Sequence, residues 1–289
     1  MDVRAIAMGL AFAFMWSSAF TSARIIVADA PPIYALALRF LISGLIGVAI
    51  ARVLGQSWKL TRQQWKATIL FGICQNALYL GLNFVAMQTI EASLAAIIAS
   101  TMPLLVALAS WLFFRETLPV LGILGLFAGL AGVALIMGAR MNAGVDLLGI
   151  ALCVIGVVAL TYATLALRGA TSGGNFMMIV GLQMLVGSAA LFPFALAFET
   201  PTVTLSTTWV LAFAYTTLIP GLAATYVWVR LIDRIGAIRA ATFHFLNPFF
   251  GVAIASLLLS EALGPRDVAG VVIITFGILA VQLARQKRS

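Results

Sequence analysis

Hydrophobic runs of about 20 residues recur along the whole chain, and they constrain its fold more than any other feature. Each run is long enough to cross a bilayer as a helix. Because the hydrocarbon core holds no water, backbone groups there must bond within a helix or a closed barrel. Barrel strands alternate apolar and polar residues over about ten positions, whereas these runs are apolar on every face. The sequence therefore predicts an all-α integral membrane protein.

The overall composition excludes a water-soluble globule of this size. Hydrophobic residues make up 63% of the 289 residues and charged residues only 9%, whereas soluble domains carry roughly 25% charged residues. The net charge of +8 predicts no nucleic-acid partner, because the basic residues are spread over short loops. Cys74 and Cys153 lie within apolar runs, which is typical of small core thiols and predicts no metal site, disulfide or cofactor. The predicted partners are the lipid bilayer and a small-molecule substrate.

Ten membrane spans follow from these runs and from the polar residues between them. They cover residues 4–28, 32–54, 66–87, 91–114, 118–138, 146–168, 174–198, 207–232, 236–260 and 264–285. The loops between them are short and leave no room for a soluble domain or a nucleotide-binding fold. The first run superficially resembles a signal peptide, but it is too long for one, and we expect it to be retained.

Lys and Arg are distributed unevenly between the two sides that alternating spans define. Thirteen fall on one side and three on the other, with Arg39 inside the second span left out. The richer side holds Arg4, Arg52, Lys59, Arg62, Lys66, Arg115, Arg168, Arg230, Arg234, Arg239, Arg285, Lys287 and Arg288; the poorer side holds Arg24, Arg140 and Arg266. Because cytoplasmic loops carry the excess of these residues, both termini are predicted to face the cytoplasm from the inner membrane.

The second half of the chain repeats the first. Residues 91–118 read EASLAAIIASTMPLLVALASWLFFRETL, and residues 236–263 read GAIRAATFHFLNPFFGVAIASLLLSEAL. A constant offset of 145 residues aligns Ala92 with Ala237, Pro103 with Pro248, Glu116 with Glu261, Gly125 with Gly270 and Gly132 with Gly277. Prolines followed thirteen residues later by glutamates are hard to attribute to chance in both copies. The sequence therefore predicts two five-helix repeats, residues 1–140 and 141–289.

An odd number of spans in each repeat turns the second copy upside down relative to the first. Inverted repeats of this kind are typical of transporters, in which two halves rock about a site near the middle of the membrane. The prediction is therefore a central cavity between the repeats that opens to each side in turn.

Three motifs resemble a known family. The opening run GLAFAFMWSSAF and the span ends LFFRETL and LLLSEAL resemble the drug/metabolite transporter superfamily, and within it the EamA-type exporters. The resemblance covers essentially the whole chain. It is closest to the bacterial branch that exports aromatic amino acids, which implies efflux of amino acids across the inner membrane. The superfamily also includes transporters of drugs, nucleotide sugars and sugar phosphates.

Polar side chains at membrane depth are the candidates for a substrate site, because they are costly there. The third span carries Gln75, Asn76, Tyr79 and Asn83 at spacings that place them on one helical face. Amide groups there could bind the ammonium and carboxylate of an amino acid, or they could join helices.

Other spans supply aromatic and hydroxyl groups for an apolar pocket with a few orienting polar groups, or for ordinary helix packing. The predicted lining is completed by Trp16, Ser17, Phe20, Thr101, Tyr162, Tyr226, His244 and Asn247. His244 either bonds between helices as a neutral ring or lines the cavity in a proton-linked role. The Arg39 side chain either extends to the membrane interface or forms a structural hydrogen bond. The alternative is that it attracts a substrate carboxylate.

Prolines and glycines mark the remaining positions of interest. Pro103, Pro220 and Pro248 each remove a backbone donor within a span, so we expect paired hinges, cavity-shaping bends or simple kinks. Gly125, Gly129 and Gly132 form a small-residue face that predicts close helix packing, either within the molecule or in a homodimer.

The acidic residues argue against a membrane-embedded enzyme. All nine fall in loops or at span ends, and a single His does not make a catalytic set, so no catalytic residue is predicted. Arg39 alone is too little positive charge for phosphorylated substrates. Zwitterionic or neutral amphipathic substrates fit better, and the sequence predicts an exporter of small metabolites.

Overall fold

A computed structural model describes residues 3–115, 117–142, 144–166 and 173–286, the side chains of 237, 238, 285 and 286 excepted. These residues contain ten helices long and apolar enough to cross a membrane, and no strand. The helices are α1 Val3–Asp29, α2 Pro32–Val53, α3 Arg62–Ala86, α4 Ala92–Phe114, α5 Val120–Asn142, α6 Leu147–Ala166, α7 Phe176–Phe198, α8 Thr207–Ile235, α9 Arg239–Leu259 and α10 Pro265–Ala284. The predicted all-α architecture with ten membrane helices is confirmed, and most bounds agree within a few residues.

Helix ends at equivalent positions of the repeat have the same local structure. Thr61 caps the start of α3 by accepting a hydrogen bond from the backbone of Gln64, and Ser206 caps α8 in the same way. Arg115 and Ser260, which end α4 and α9, both adopt a left-handed conformation, with φ of 53° and 55°. Each pair is separated by 145 residues, so the repeat extends from sequence to backbone conformation.

Four helices are interrupted within the span. In α3 and α8 the segments Gly72–Leu80 and Ile219–Ala223 form π-helix, and Pro220 lies in the second of these. In α4 the regular helix breaks at Thr101, just before Pro103. In α9 a 3₁₀ segment, Thr242–Leu246, precedes Pro248. All three predicted proline bends therefore coincide with a break, because proline cannot donate to the carbonyl four residues earlier.

The chain divides into two compact units that do not follow the order of the sequence. The first unit comprises the described residues of Met1–Thr21, Thr89–Ile150 and Ala223–Ser289; the second comprises those of Ser22–Gln88 and Ala151–Leu222. Both predicted repeats contribute to each unit, so the boundary near residue 140 separates two sequence repeats and does not separate the two compact units. The repeats themselves stay a prediction.

In the first unit α5 and α10 pack along a seam of glycines. A Cβ on Gly125 would lie 2.7 Å from the carbonyl oxygen of Gly277, and a Cβ on Gly132 would lie 2.9 Å from that of Gly270. The offset of 145 residues aligns Gly125 with Gly270 and Gly132 with Gly277, so the two contacts are equivalent. Equivalent contacts of this kind are expected where two helices are related by a two-fold axis. The glycine face therefore serves packing within the molecule, and the predicted homodimer stays a prediction.

In the second unit α2 and α7 cap each other. Glu199, just after α7, accepts hydrogen bonds from the backbone of Ile33 and Tyr34 at 3.0 and 2.7 Å. Gln56, just after α2, accepts one from the backbone of Met178 at 3.0 Å. Each helix start thus receives an oxygen acceptor from the end of the other helix, which satisfies backbone donors that a helix leaves unpaired.

The start of α4 in the first unit is held by the end of α9. Glu261 accepts hydrogen bonds from the backbone of Ala92 and Ser93 at 2.8 and 2.9 Å. A carboxylate there also matches the positive end of the helix dipole. Glu116, the repeat counterpart of Glu261, lies outside the described residues.

Candidate functional site

Aromatic rings surround His244 in the first unit. The ring of Phe12 meets His244 edge-on at 5.3 Å between centroids, and that of Trp228 does so at 5.0 Å. Phe12 also lies 4.5 Å from Trp228 and 5.7 Å from Trp16. Trp16, Trp228 and His244 are half-buried. We call these four rings the aromatic cluster.

A short chain of polar groups borders the aromatic cluster. Asn247 Nδ2 lies 2.9 Å from His244 Nδ1, and the Ser17 hydroxyl donates to the carbonyl of Asn247 at 3.3 Å. When the Asn247 amide donates to Nδ1, the proton of a neutral His244 is on Nε2. Asn247 Oδ1 is buried and has no partner among the described residues. The pair thus offers one N–H donor and one oxygen acceptor.

The break in α9 places these groups. Pro248 has no N–H for the carbonyl of His244, and the backbone N–H of Asn247 donates to that carbonyl instead. The tighter 3₁₀ bonding turns His244 and Asn247 toward each other, three residues apart. The sequence signal for this geometry is the proline directly after a His-x-x-Asn segment.

The other predicted residues of the first unit differ in exposure. Phe20 is buried, and Thr101 donates its hydroxyl to the carbonyl of Ile98 at 2.6 Å within its own helix. Tyr226 is 52% exposed. None of the three contacts the aromatic cluster through a hydrogen bond or ring contact between described residues, and their role in binding stays a prediction.

The polar face of α3 lies in the second unit, where two of its asparagines join backbone groups. Asn76 Nδ2 donates to the carbonyl of Gln183 on α7 at 2.9 Å. Asn83 Nδ2 donates to the carbonyl of Tyr79 at 2.7 Å, and Asn83 Oδ1 accepts from the thiol of Cys153 at 3.3 Å. The structure thus gives Asn76 and Asn83 a helix-joining role. A further role in substrate binding stays a prediction.

The remaining members of that predicted face are unequally accessible. Tyr79 is buried, whereas Gln75 is half-buried. Tyr162 on α6 is 60% exposed. The nine-residue π segment Gly72–Leu80 contains Gln75 and Tyr79, and such segments are frequent at functional sites.

Arg39 is buried in the second unit, with 5% of its surface exposed. Its Nε donates to the carbonyl of Thr216 on α8 at 3.2 Å, and its guanidinium lies 5.1 Å from the ring of Phe40. It forms no ion pair with a carboxylate of the described residues. Of the alternatives from the sequence, the structural hydrogen bond is observed. Attraction of a substrate carboxylate stays a prediction.

Two members of the aromatic cluster were not predicted from the sequence. Phe12 lies four residues before Trp16, and this helical spacing could have indicated it. Trp228 had no such signal, because the fold alone brings α8 beside α1 and α9. Among the described residues no group of three or more His, Cys, Asp or Glu could hold a metal ion.

Comparison with known proteins finds two consecutive matches to one family model. The EamA-like transporter family matches residues 3–138 and again residues 147–283. The uncharacterized transporter YvbV of Bacillus subtilis is 26% identical over 280 residues, covering 95% of this chain and 90% of its own. The uncharacterized inner membrane transporter YedA of Escherichia coli K12 is 24% identical and covers 94% and 88%. A solved crystal structure has a TM-score of 0.72 at 22% identity over 100% of both chains, which supports the fold alone.

Proposed function

Because the chain belongs to the EamA-like transporter family, we propose that this multi-pass membrane protein exports small amphipathic metabolites by alternating access. The substrates proposed are amino acids with aromatic or other apolar side chains. The relatives from Bacillus subtilis and Escherichia coli are named as transporters without a substrate. The choice of substrate, and with it the resemblance to the aromatic amino acid branch, therefore depends on the site.

The observation that carries the proposal is the aromatic cluster beside a neutral polar pair. Rings at centroid distances of 4.5 to 5.7 Å form an apolar surface for an aromatic or branched side chain. No charged side chain of the described residues forms an ion pair or hydrogen bond with these four rings. A sugar phosphate would require positive charge at this place, so the cluster favours a ligand without net charge.

The polar pair suits the two ends of a zwitterion. The unpartnered Oδ1 of Asn247 can accept a hydrogen bond from an ammonium group. With Nδ1 of His244 engaged by Asn247, the Nε2–H of the ring can donate to a carboxylate. One acceptor and one donor beside an apolar surface match an α-amino acid better than a hydrocarbon drug.

Organic cations are the second candidate, and the aromatic faces favour them. A cation over a Trp ring is attracted by about 0.5–2 kcal/mol, most strongly when water is excluded. A membrane-embedded enzyme is a more distant alternative, because the chain's relatives are transporters and acid–base chemistry would depend on His244 alone.

Counterflow into proteoliposomes tests the proposal. Purified protein is reconstituted, loaded with unlabelled L-phenylalanine, L-leucine, tetraphenylphosphonium or glucose 6-phosphate, and supplied with the labelled compound outside, with and without a proton gradient. We expect counterflow of the two amino acids that protein-free liposomes lack. Counterflow of tetraphenylphosphonium above that of protein-free liposomes, without counterflow of either amino acid, would favour organic cations as the substrates in place of amino acids.

A further inference from the structure

We propose that Arg39 is a positioning residue of the transport cycle, which from its place on α2 donates to the carbonyls at the proline break of α8 while that helix changes its bend. The inference depends on the chain being a transporter and not on which substrate it carries. It assigns Arg39 a role in moving α8 rather than in contacting the substrate.

The hydrogen bonds at the break carry the inference. Pro220 has no N–H to donate to the carbonyl of Thr216, four residues earlier. The Nε of Arg39 donates to that carbonyl at 3.2 Å, and the Ser43 hydroxyl, one turn further along α2, donates to the next carbonyl, of Thr217, at 3.2 Å. Two successive carbonyls beside the break are therefore served by side chains of another helix.

The break at Pro248 is completed differently. There the backbone N–H of Asn247 donates to the carbonyl of His244, which the proline leaves without its usual donor. That carbonyl is therefore satisfied within its own helix. At the α8 break, by contrast, side chains of α2 donate to the carbonyls of Thr216 and Thr217.

The repeat provides an internal comparison. Gln75 occupies the position equivalent to Pro220 in the π segment of α3, so that segment contains no proline. Helix α7, the counterpart of α2, contains no Arg or Lys. Proline and arginine thus occur together in the helix pair α2 and α8 and are both missing from the equivalent positions of the pair α7 and α3, as expected if the arginine accompanies the proline.

A guanidinium is an expensive way to satisfy one carbonyl in a membrane, which argues that its particular properties are used. Burying a charge without a paired carboxylate is costly, and a serine already satisfies the neighbouring carbonyl at Thr217. The guanidinium differs by having five N–H groups in a planar fork. As α8 changes its bend, the fork can keep donating to one carbonyl or another, whereas a single hydroxyl would lose its partner.

Backbone hydrogen exchange of α8 tests the role of Arg39 without any substrate. Arg39→Met in lipid nanodiscs is expected to speed exchange in peptides covering residues 213–226 about tenfold, the change expected for the loss of one buried hydrogen bond. In the Pro220→Ala background the new N–H can serve Thr216, so the same substitution should change exchange less than about threefold. Ser188→Ala is the matched control, because its buried hydroxyl donates to the carbonyl of Ala37 on α2 at 2.8 Å, away from the break.

Transport kinetics separate positioning from substrate contact. With L-phenylalanine as the probe, Arg39→Met should lower the maximal rate about tenfold and leave KM within about twofold, and Arg39→Lys should restore part of the rate. A raised KM at an unchanged maximal rate, or an equal loss with and without Pro220, would overturn the proposal. If Arg39→Met does not reach the membrane, Arg39→Gln in both backgrounds is judged by the same criteria. If L-phenylalanine is not transported, the substrate proposal fails, and the exchange data still decide the role of Arg39.

Discussion

Gly277 of α10 packs directly on the backbone of Gly129 of α5, so that a Cβ at Gly277 would lie 2.6 Å from the amide nitrogen of Gly129. The atoms that this Cβ would meet belong to the backbone of α5, which cannot move aside as a flexible side chain can. Small residues of this kind let membrane helices approach closely enough for extensive van der Waals contact. The two glycines therefore determine how closely α5 and α10 approach each other.

Gly277→Ala is expected to destabilise the protein by about 1–3 kcal/mol, because the added methyl group forces the two backbones apart. The measurement is the thermal unfolding of purified protein in detergent. Gly138→Ala is the control, since a Cβ there meets nothing within 4 Å and alanine favours a helix. Equal stability of Gly277→Ala and Gly138→Ala would contradict the close packing of α5 against α10.

Arg140→Met is expected to destabilise the first unit by about 3 kcal/mol, because it leaves Asp267 buried without its partner. Arg140, at the end of α5, forms two bonds to Asp267 at 3.2 and 3.1 Å and one to Glu91 at 2.6 Å. The side chain of Asp267 is only 8% exposed. Thermal unfolding measures the loss, and Arg266→Met, at an exposed arginine next in sequence to Asp267, is the control.

The double variant Arg140→Met, Asp267→Asn tests the reason for that loss. Replacing the carboxylate removes the unpaired buried charge, so the double variant should be more stable than Arg140→Met alone. If the loss of the double variant equals the sum of the losses of Arg140→Met and of Asp267→Asn measured alone, the ion pair is not the cause.

Acid is expected to remove a stabilising contribution of Asp146, which lies just before α6. Hydrogen bonds from the Thr89 hydroxyl at 2.6 Å, and from the backbone of Leu148 and Gly149, hold the pKa of this carboxyl below its usual value of 3.8. A group whose pKa is lowered by folding stabilises the folded state above its unfolded pKa. The contribution disappears as the pH falls through the lower, folded value.

The stability of the wild type minus that of Asp146→Asn, measured by urea unfolding across pH 2.5–7, should be constant near neutrality and shrink below about pH 4. Thr89→Val should move the onset of that loss upward, toward the usual pKa of a carboxyl. A difference that does not change with pH would show that the three hydrogen bonds do not favour the ionised carboxyl.

Most of the fold follows from the sequence, because length and hydropathy decide it. The ten spans and the proline breaks depend on local rules, and the offset of 145 residues between Pro103 and Pro248 is visible in the sequence alone. The composition of the two compact units was not visible, because which helices pack together depends on contacts far apart in the chain. The glycine seam illustrates this limit, since Gly129 alone does not reveal that its partner is Gly277.

The candidate site was only partly predictable. Trp16, Ser17, His244 and Asn247 were identified as polar or aromatic groups at membrane depth, and the fold brings them together. Asn76, identified by the same argument, joins α3 to α7, and its role in substrate binding stays a prediction. A polar side chain in lipid must find a partner, but the sequence does not say whether that partner is a substrate or another helix.

Trp228→Ala tests the member of the aromatic cluster that the sequence did not indicate. If the cluster holds the apolar side chain of the substrate, loss of one ring should raise KM for L-phenylalanine about tenfold, because an aromatic pair contributes about 0.5–1.5 kcal/mol beyond the burial of its surface. Trp228→Phe should retain most of the affinity, and Trp16→Ala should resemble Trp228→Ala. Trp58→Ala is the control, since Trp58 lies in the loop after α2 and is 62% exposed. Proteoliposome counterflow with an unchanged KM in both cluster variants would exclude the aromatic cluster as the substrate site.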